Sequence, residues 1–320
     1  VAVDVDEAVA VTETAVTELP LAGPLADRNA ELSGLAWYGD MLILLPQFPD
    51  FNGHDPALYA LPKADIAAYL AGETAVPLQP IAIPLDTANL EDDIRGYEGF
   101  EAIAFDGQTI YLTIEAAGSG MRGYLVRGTI APDLSGVTLE PEPLMQIEPQ
   151  ANLGNMADEA LLLVDDHLLT FYEANGAEVN PQPVAHRFTA DLATAGTLPM
   201  PTLPYRLTDV TELDANGRFW GINYKFTDTR SIQTDNDPLA AQYGQGSTHA
   251  QNEGVERLVA FDYSADGITL APVAPIQLQL LGDDQLRNWE GIVMLDEQGF
   301  LLATDKFPQT ILAFVPTTDN

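Results

Sequence analysis

The chain has 320 residues, 46% of them hydrophobic, no cysteine, and 48 acidic side chains against 13 basic ones, a formal net charge of -35. That length can bury a large core, and a chain without cysteine has no disulfide, no thiolate metal site and no thiol nucleophile. So acidic a surface repels nucleic acid and anionic lipid and suits cations, and no apolar run reaches the roughly 18 residues of a membrane-spanning helix. The opening Val1-Ala-Val-Asp-Val-Asp-Glu7 lacks the basic and apolar regions of a leader, which has been removed or never existed. The composition fits secretion or a periplasm at least as well as cytoplasm, and the expected state is a secreted or periplasmic protein and a monomer.

In chain order, Val9 to Leu21 is rich in β-branched residues and roughly alternating, a strand without a local partner. Glu31 to Pro46 reads as strand, Gly39-Asp40 turn, strand. Ala57 to Leu61 and Leu78 to Leu85 add two strands around a short helical stretch, Lys63 to Gly72. The pattern restarts at Tyr97 to Glu115, turning at Asp106-Gly107, with Gly123 to Ile130 and Val137 to Ile147 as outer strands. A third unit runs from Asn155 to Glu173, with Val184 to Phe188 and Pro199 to Tyr205. The fourth opens with Leu207 to Lys225, turns at Asp214-Ala-Asn-Gly217, and adds Arg257 to Tyr263 and Leu270 to Leu280. The fifth, Arg287 to Lys306 with Thr310 to Val315, ends one strand short.

Five hairpin units of about 60 residues, each with outer strands, are the pattern of a β-propeller. The expected fold is all-β: a single five-bladed propeller domain with four-stranded blades, near residues 28–90, 91–150, 151–206, 207–282 and 283–316. The N-terminal strand 9–21 completes the last blade and leaves no open edge at the seam. Six blades is the alternative, if the long polar segment Phe226 to Glu256 hides strands.

Superposing the first apolar pair of each unit aligns Ser33, Glu101, Glu159, Thr211 and Glu290. Innermost propeller strands line the channel, so these five oxygen-bearing side chains are expected to converge on its axis. Three carboxylates held together need a cation or captured protons. A hard ion with oxygen ligands answers this, and Ca²⁺ tolerates such an irregular set, whereas no His at the aligned positions speaks for zinc. The other reading is that these carboxylates cap loop amides around a water-filled channel. Glu31, Glu98, Asp158 and Asp209 form a flanking acidic series.

Arg28, Arg95, Arg206 and Arg287 each stand three residues before an acid at the entry of a unit. The loops after each second strand begin at Gln47, Glu115, Glu173, Lys225 and Asp305 and share that face. Arg95, Arg206, Arg287, Lys225 and Lys306 are therefore expected around the channel mouth, where they suit phosphate or carboxylate oxygens; alternatively each Arg pairs with a nearby acid. His54 is a candidate general base on the same face. The segment Thr227 to Glu256 reads as a lid carrying Arg230 and His249, or as an insertion without fixed structure.

With the unit openings Glu31-Leu-Ser-Gly-Leu35 and Trp289-Glu-Gly-Ile292, the order Ser, Glu, Glu, hydroxyl, Glu resembles the calcium-activated nucleotidase (apyrase) family. That resemblance implies a five-bladed propeller with a central Ca²⁺ held by Ser33, Glu101, Glu159, Thr211 and Glu290, with Lys225 and Lys306 near a phosphate. The loops Pro46-Gln-Phe-Pro-Asp50 and Glu173-Ala-Asn-Gly176 lack the acidic-arginine and paired-arginine patterns of that family. The Glu-Gly-[Ile/Phe] openings are similar also to the phytase-like esterase and SdiA-regulated propellers. The expected function is a Ca²⁺-dependent hydrolase of a small anionic or ester substrate, the alternative a non-catalytic secreted ligand-binding propeller with a structural Ca²⁺.

Overall fold

The computed structural model describes residues 11–118, 120–226, 232, 234, 236–282 and 285–317. Val9, Ala10, Ser119 and Arg230 lie outside them.

Five four-stranded antiparallel blades follow one another. The first is β2 (Leu32–Tyr38), β3 (Met41–Pro46), β4 (Ala57–Pro62) and β5 (Ile81–Asp86), with helix α1 (Lys63–Leu70) after β4. The second is β6 (Tyr97–Asp106), β7 (Thr109–Ala116), β8 (Arg122–Ile130) and β9 (Val137–Leu139), with the short β10 (Met145–Ile147) also on β8. The third is β11 (Asp158–Val164), β12 (His167–Tyr172), β13 (Val184–Thr189) and β14 (Thr194–Pro199). The fourth is β15 (Arg206–Val210), β16 (Arg218–Lys225), β17 (Val255–Ser264) and β18 (Gly267–Leu270), with β19 (Ile276–Gln277) also on β17. The fifth is β20 (Trp289–Leu295), β21 (Gly299–Thr304) and β22 (Leu312–Pro316), completed by β1 (Thr17–Leu19), whose Glu18 opposes Ala313.

The innermost strands close a ring: β2 packs beside β6, β6 beside β11, β11 beside β15, β15 beside β20, and β20 beside β2. Five blades, not six, complete the circle. Between 226 and 254 the described residues hold a helix, α2 (Pro238–Tyr243), and a 3-10 turn at His249–Gln251, but no strand. The expected outer strands shift or break: Val137 to Ile147 divides into β9 and β10, and the third blade ends in Thr194–Pro199, not in 199–205. Blades one and two are further joined by parallel pairing of β5 with β9, Leu85 opposing Val137.

Both faces of these strands are covered by neighbouring blades, which explains their nearly continuous apolar sequences. In β3, Leu42 and Leu44 pack toward the fifth blade, with Val293 and Leu301. Ile43 and Leu45 pack toward the second, with Ile103 and Leu112. Equivalent apolar layers fill each of the other interfaces. Sharp turns set the hairpins: Gly39 and Gly107 adopt φ of 59° and 57°, a left-handed conformation open to glycine at little cost.

The N-terminal segment stitches three blades. Thr14 bridges Leu278 of the fourth, Thr17–Leu19 joins the fifth, and Leu21 bridges Leu78 of the first. Glu13 anchors its start, accepting hydrogen bonds from the amides of Thr248 and His249 and contacting the His249 ring at 2.9 Å. His249 is therefore a buried clasp residue, not part of a lid over the channel.

Close approach of the inner strands demands small residues just after the axial position. A Cβ on Gly291 would lie 2.9 Å from Leu35 Cγ and 3.2 Å from its amide nitrogen. Replacing Gly291 by Ala should therefore cost about 1–3 kcal/mol of overpacking, measurable by urea unfolding; an unchanged midpoint would mean the ring has slack there.

Candidate functional site: an acidic axial chamber

Each inner strand carries a β-bulge at its entry, an irregularity that re-aims a side chain out of the regular alternation. The register shifts fall at Ser33, at Glu101-Ala102, at Glu159, at Thr208-Asp209 and at Glu290. The equivalent triplets are thus Ser33-Gly-Leu35, Glu101-Ala-Ile103, Glu159-Ala-Leu161, Thr208-Asp-Val210 and Glu290-Gly-Ile292. This corrects the fourth member of the expected ring. Thr208, not Thr211, occupies the axial register, because the bulge in β15 comes three residues before the apolar pair used for the superposition. Thr211 lies beyond β15, its hydroxyl donating to the Glu212 carbonyl and accepting from the Trp220 amide.

The first member of four triplets, Ser33, Glu101, Glu159 and Glu290, faces a chamber of about 360 Å³ at one end of the axis. The third members, Leu35, Ile103, Leu161, Val210 and Ile292, line a second, apolar chamber of about 350 Å³ beyond them. Thr208 does not open into the upper chamber; its hydroxyl donates to the Trp289 carbonyl at 2.7 Å, while Asp209 Oδ2 accepts from the Ile292 amide at 2.9 Å. These two bonds latch the fourth blade to the fifth on either side of Glu290.

The strand exits supply the rest of the upper chamber. Gln47 and Asp305 line it, as does Glu115, the penultimate residue of β7, and Glu173 stands behind Arg206. Gln47 donates to Glu101 at 3.0 Å and Asn288 donates to Glu290 at 2.6 Å. Of the flanking acids, Glu31 and Glu98 line the wall. Asp158 instead takes the Thr170 hydroxyl at 2.8 Å and contacts His186 at 3.1 Å.

Among the six basic candidates only Arg206 and Lys306 line the chamber. The Arg206 guanidinium, largely but not wholly buried, lines it 3.5 Å from Glu159 and 3.8 Å from Glu290, and it is ion-paired with Glu173 and set over the Tyr224 ring. Lys306 stands at the rim, paired with Glu31 at 3.0 Å. Arg287 is buried away from the axis: it donates to Glu256 at 2.9 Å and to the Gln279 carbonyl at 2.6 Å. Its role is structural, because the apolar fifth blade holds it against Trp289. Arg95 is exposed outside the chamber, Lys225 lies over the Tyr205 ring, and His54 is exposed with its ring edge-on to Phe51. None of these three lines the chamber.

Carboxylates therefore outnumber cations, and their titration shows it. Burial, then the charges of Glu115, Glu159 and Glu290, holds the Glu101 carboxyl well above its ordinary range, against the Gln47 hydrogen bond. Burial likewise drives Glu290 well up, although Arg206 pulls the other way. Glu115 is pushed to about 8 by burial, Glu159 and Glu98. Glu159 is pushed to about 7 by burial, opposed by Arg206. Arg206 loses by burial and gains more from Glu159 and Glu290, so it is held protonated. Glu115 Oε1 and Glu159 Oε2 have no hydrogen-bond partner.

In kind, these oxygen-only donors fit a hard cation. In arrangement, no group of three or more His, Asp or Glu among the described residues closes on one point; the Arg206 guanidinium stands between Glu159 and Glu290.

Fold and site together define a five-bladed β-propeller with a split axis, acidic at one end and apolar at the other. No protein-family model matches the chain, and no curated protein matches it. It is similar to solved propeller enzymes. One is a family-43 β-xylosidase/α-arabinofuranosidase from a compost microbial metagenome, crystallised with xylotriose in a calcium-free form. Its TM-score is 0.51 and its identity 11%, over 95% of this chain and 96% of that one. A second β-xylosidase gives 0.51 and 11%, over 95% of both chains. A thermostable family-43 glycoside hydrolase gives 0.50 and 11%, over 95% and 91%. At such identity the likeness is one of fold, and it does not single out the nucleotidase or phytase-like propellers.

Proposed function

We propose that this propeller is a Ca²⁺-dependent hydrolase of a small ester, worked from the upper chamber. The observation that carries the reading is the uncompensated charge there: Glu101, Glu115, Glu159 and Glu290 face one chamber with Arg206 and Lys306 as its lining cations. Ser33, Glu101, Glu159 and Glu290 would hold the ion, which would supply polarisation of the ester's acyl or phosphoryl oxygen. This set keeps the order implied by the resemblance to calcium-activated nucleotidases, less its fourth hydroxyl, which Thr208 spends on Trp289.

Arg206 offsets the negative charge of Glu159 and Glu290 and supports charge developing on the ester. Both lining cations are already ion-paired, which favours an ester of low charge over a polyphosphate. A second reading, binding without turnover, is favoured by the placement of Arg206 beside Glu159 and Glu290, where a reacting group would have to approach.

Hydrolysis of p-nitrophenyl acetate, p-nitrophenyl phosphate and ATP, with Ca²⁺ and with chelator, separates the readings. The expected result is Ca²⁺-dependent turnover of the acyl ester, reduced roughly 100-fold by Glu159→Gln. Turnover of none of them, or activity indifferent to both chelator and the variant, overturns the hydrolase reading.

A further inference from the structure

The blade-two wall of the upper chamber differs from the rest in being aromatic as well as acidic. Phe48, just past β3, and Tyr97, at the start of β6, meet edge to face with ring centres 6.2 Å apart, and Tyr97 rests in turn on Phe100 at 5.8 Å. Phe48 and Tyr97 line the chamber together with Glu98 and Glu115. On their other side they border a smaller recess that contains Asp50 and Glu91. No lysine or arginine lines that recess. Glu115 lines the chamber and is 4% exposed, and its carboxylate carries a buried oxygen, Oε1, without a hydrogen-bond partner.

We propose that this wall binds a primary ammonium group, so that the ligand of the chamber is a small aminoalkyl compound. The proposal rests on the upper chamber being the substrate site, and its ammonium contacts are distinct from the carboxylates assigned to Ca²⁺. An ammonium brings three N–H donors and no acceptor, and a carboxylate oxygen without a partner accepts one of them. Aromatic faces attract the same cation through the ring quadrupole, and the carbon stem packs on Phe48 and Tyr97. A quaternary ammonium has no N–H for Glu115, and an anion meets Glu98 and Glu115 on the near side and Asp50 and Glu91 behind. The net charge of -35 steers cations toward the chamber and anions away from it.

The test is titration calorimetry of the full chain with n-butylammonium, n-butanol and butyrate at saturating Ca²⁺, on the wild type, Glu115→Gln and Phe48→Leu. Both variants preserve volume approximately, and thermal melting checks their folding. The expected result is saturable binding of n-butylammonium alone, weakened about tenfold in Glu115→Gln and several-fold in Phe48→Leu. Equal binding of butanol or butyrate, or affinity for the amine unchanged in both variants, overturns the proposal. Amine binding without ester turnover leaves it standing and defeats the hydrolase reading; turnover of acyl esters with no amine binding does the reverse.

Discussion

Replacing Arg206 by Met should cost about 3–5 kcal/mol at pH 8 in metal-free protein, the penalty of removing one partner from a buried charge cluster. The guanidinium is the cation buried among Glu159, Glu290 and Glu173, with Glu115 close enough to influence it. Without it those buried carboxylates face one another uncompensated, and they relax by taking protons or by unfolding. The loss should therefore shrink at pH 5, where protons are available. It should be partly recovered by Arg206→Met combined with Glu173→Leu, which removes the partner left behind. Urea unfolding at both pH values reads the result. A variant as stable as the wild type at pH 8 would mean that the carboxylates are already neutral without Arg206.

That cluster also marks where the sequence was legible and where it was not. The blade count, the hairpin turns and the closing strand follow from period and turn chemistry, which are local. Ser33, Glu101, Glu159 and Glu290 were found because a repeated fold repeats its register. Thr208 escapes the superposition because β15 ends at Val210 and its connection to β16, which begins only at Arg218, carries Leu213, an apolar residue that matches the strand residues of the other units and draws the alignment to Thr211. Glu115 and Glu173 were visible as the first residues after the second strands, yet they were read as loop starts and not as inward-facing acids. The arginines misled for another reason. Equal spacing to the next acid does not give equal backbone positions: Arg206 stands two residues before its axial residue Thr208, Arg287 three before Glu290, Arg28 five before Ser33 and Arg95 six before Glu101. Their partners differ accordingly, Arg287 taking the buried Glu256 and Arg28 the carbonyl of Lys306.

The division of the axis follows from the same triplets. A strand sends residues i and i+2 to the same side, so the first and third members of a triplet both reach the channel at different heights. An acid followed two residues later by Leu or Ile, at Glu101, Glu159 and Glu290, then sets carboxyls in the upper chamber over apolar side chains in the lower one in three blades out of five. Burial of the upper layer is what takes its carboxyls out of their ordinary acidity.

The stability of the metal-free protein should consequently fall as pH rises from 5 to 8, against the usual trend for carboxylates in ion pairs. Glu115 is pushed up to about 8 and Glu159 to about 7, each chiefly by burial, and Glu101 and Glu290 stand well above the carboxylate range for the same reason. In the unfolded chain all four ionise at ordinary values. Between those values and the folded ones the native state binds more protons than the unfolded state. Its stability is then full below the unfolded pKa and is lost as pH passes through 7 and 8. Each extra proton held contributes a slope of about 1.4 kcal/mol per pH unit. Glu13 has the opposite sign: its hydrogen bonds from His249 and Thr248 outweigh burial and lower its pKa, so its contribution disappears in acid. Chelator-treated protein unfolded in urea across this range should show the decline. Glu115→Gln should flatten the upper part of the slope, and Ca²⁺, taking the place of the protons, should abolish most of it at pH 8. Stability that rises from pH 5 to pH 8 in chelator would mean that the chamber carboxylates are not forced together, and with that the case for a cation between them fails.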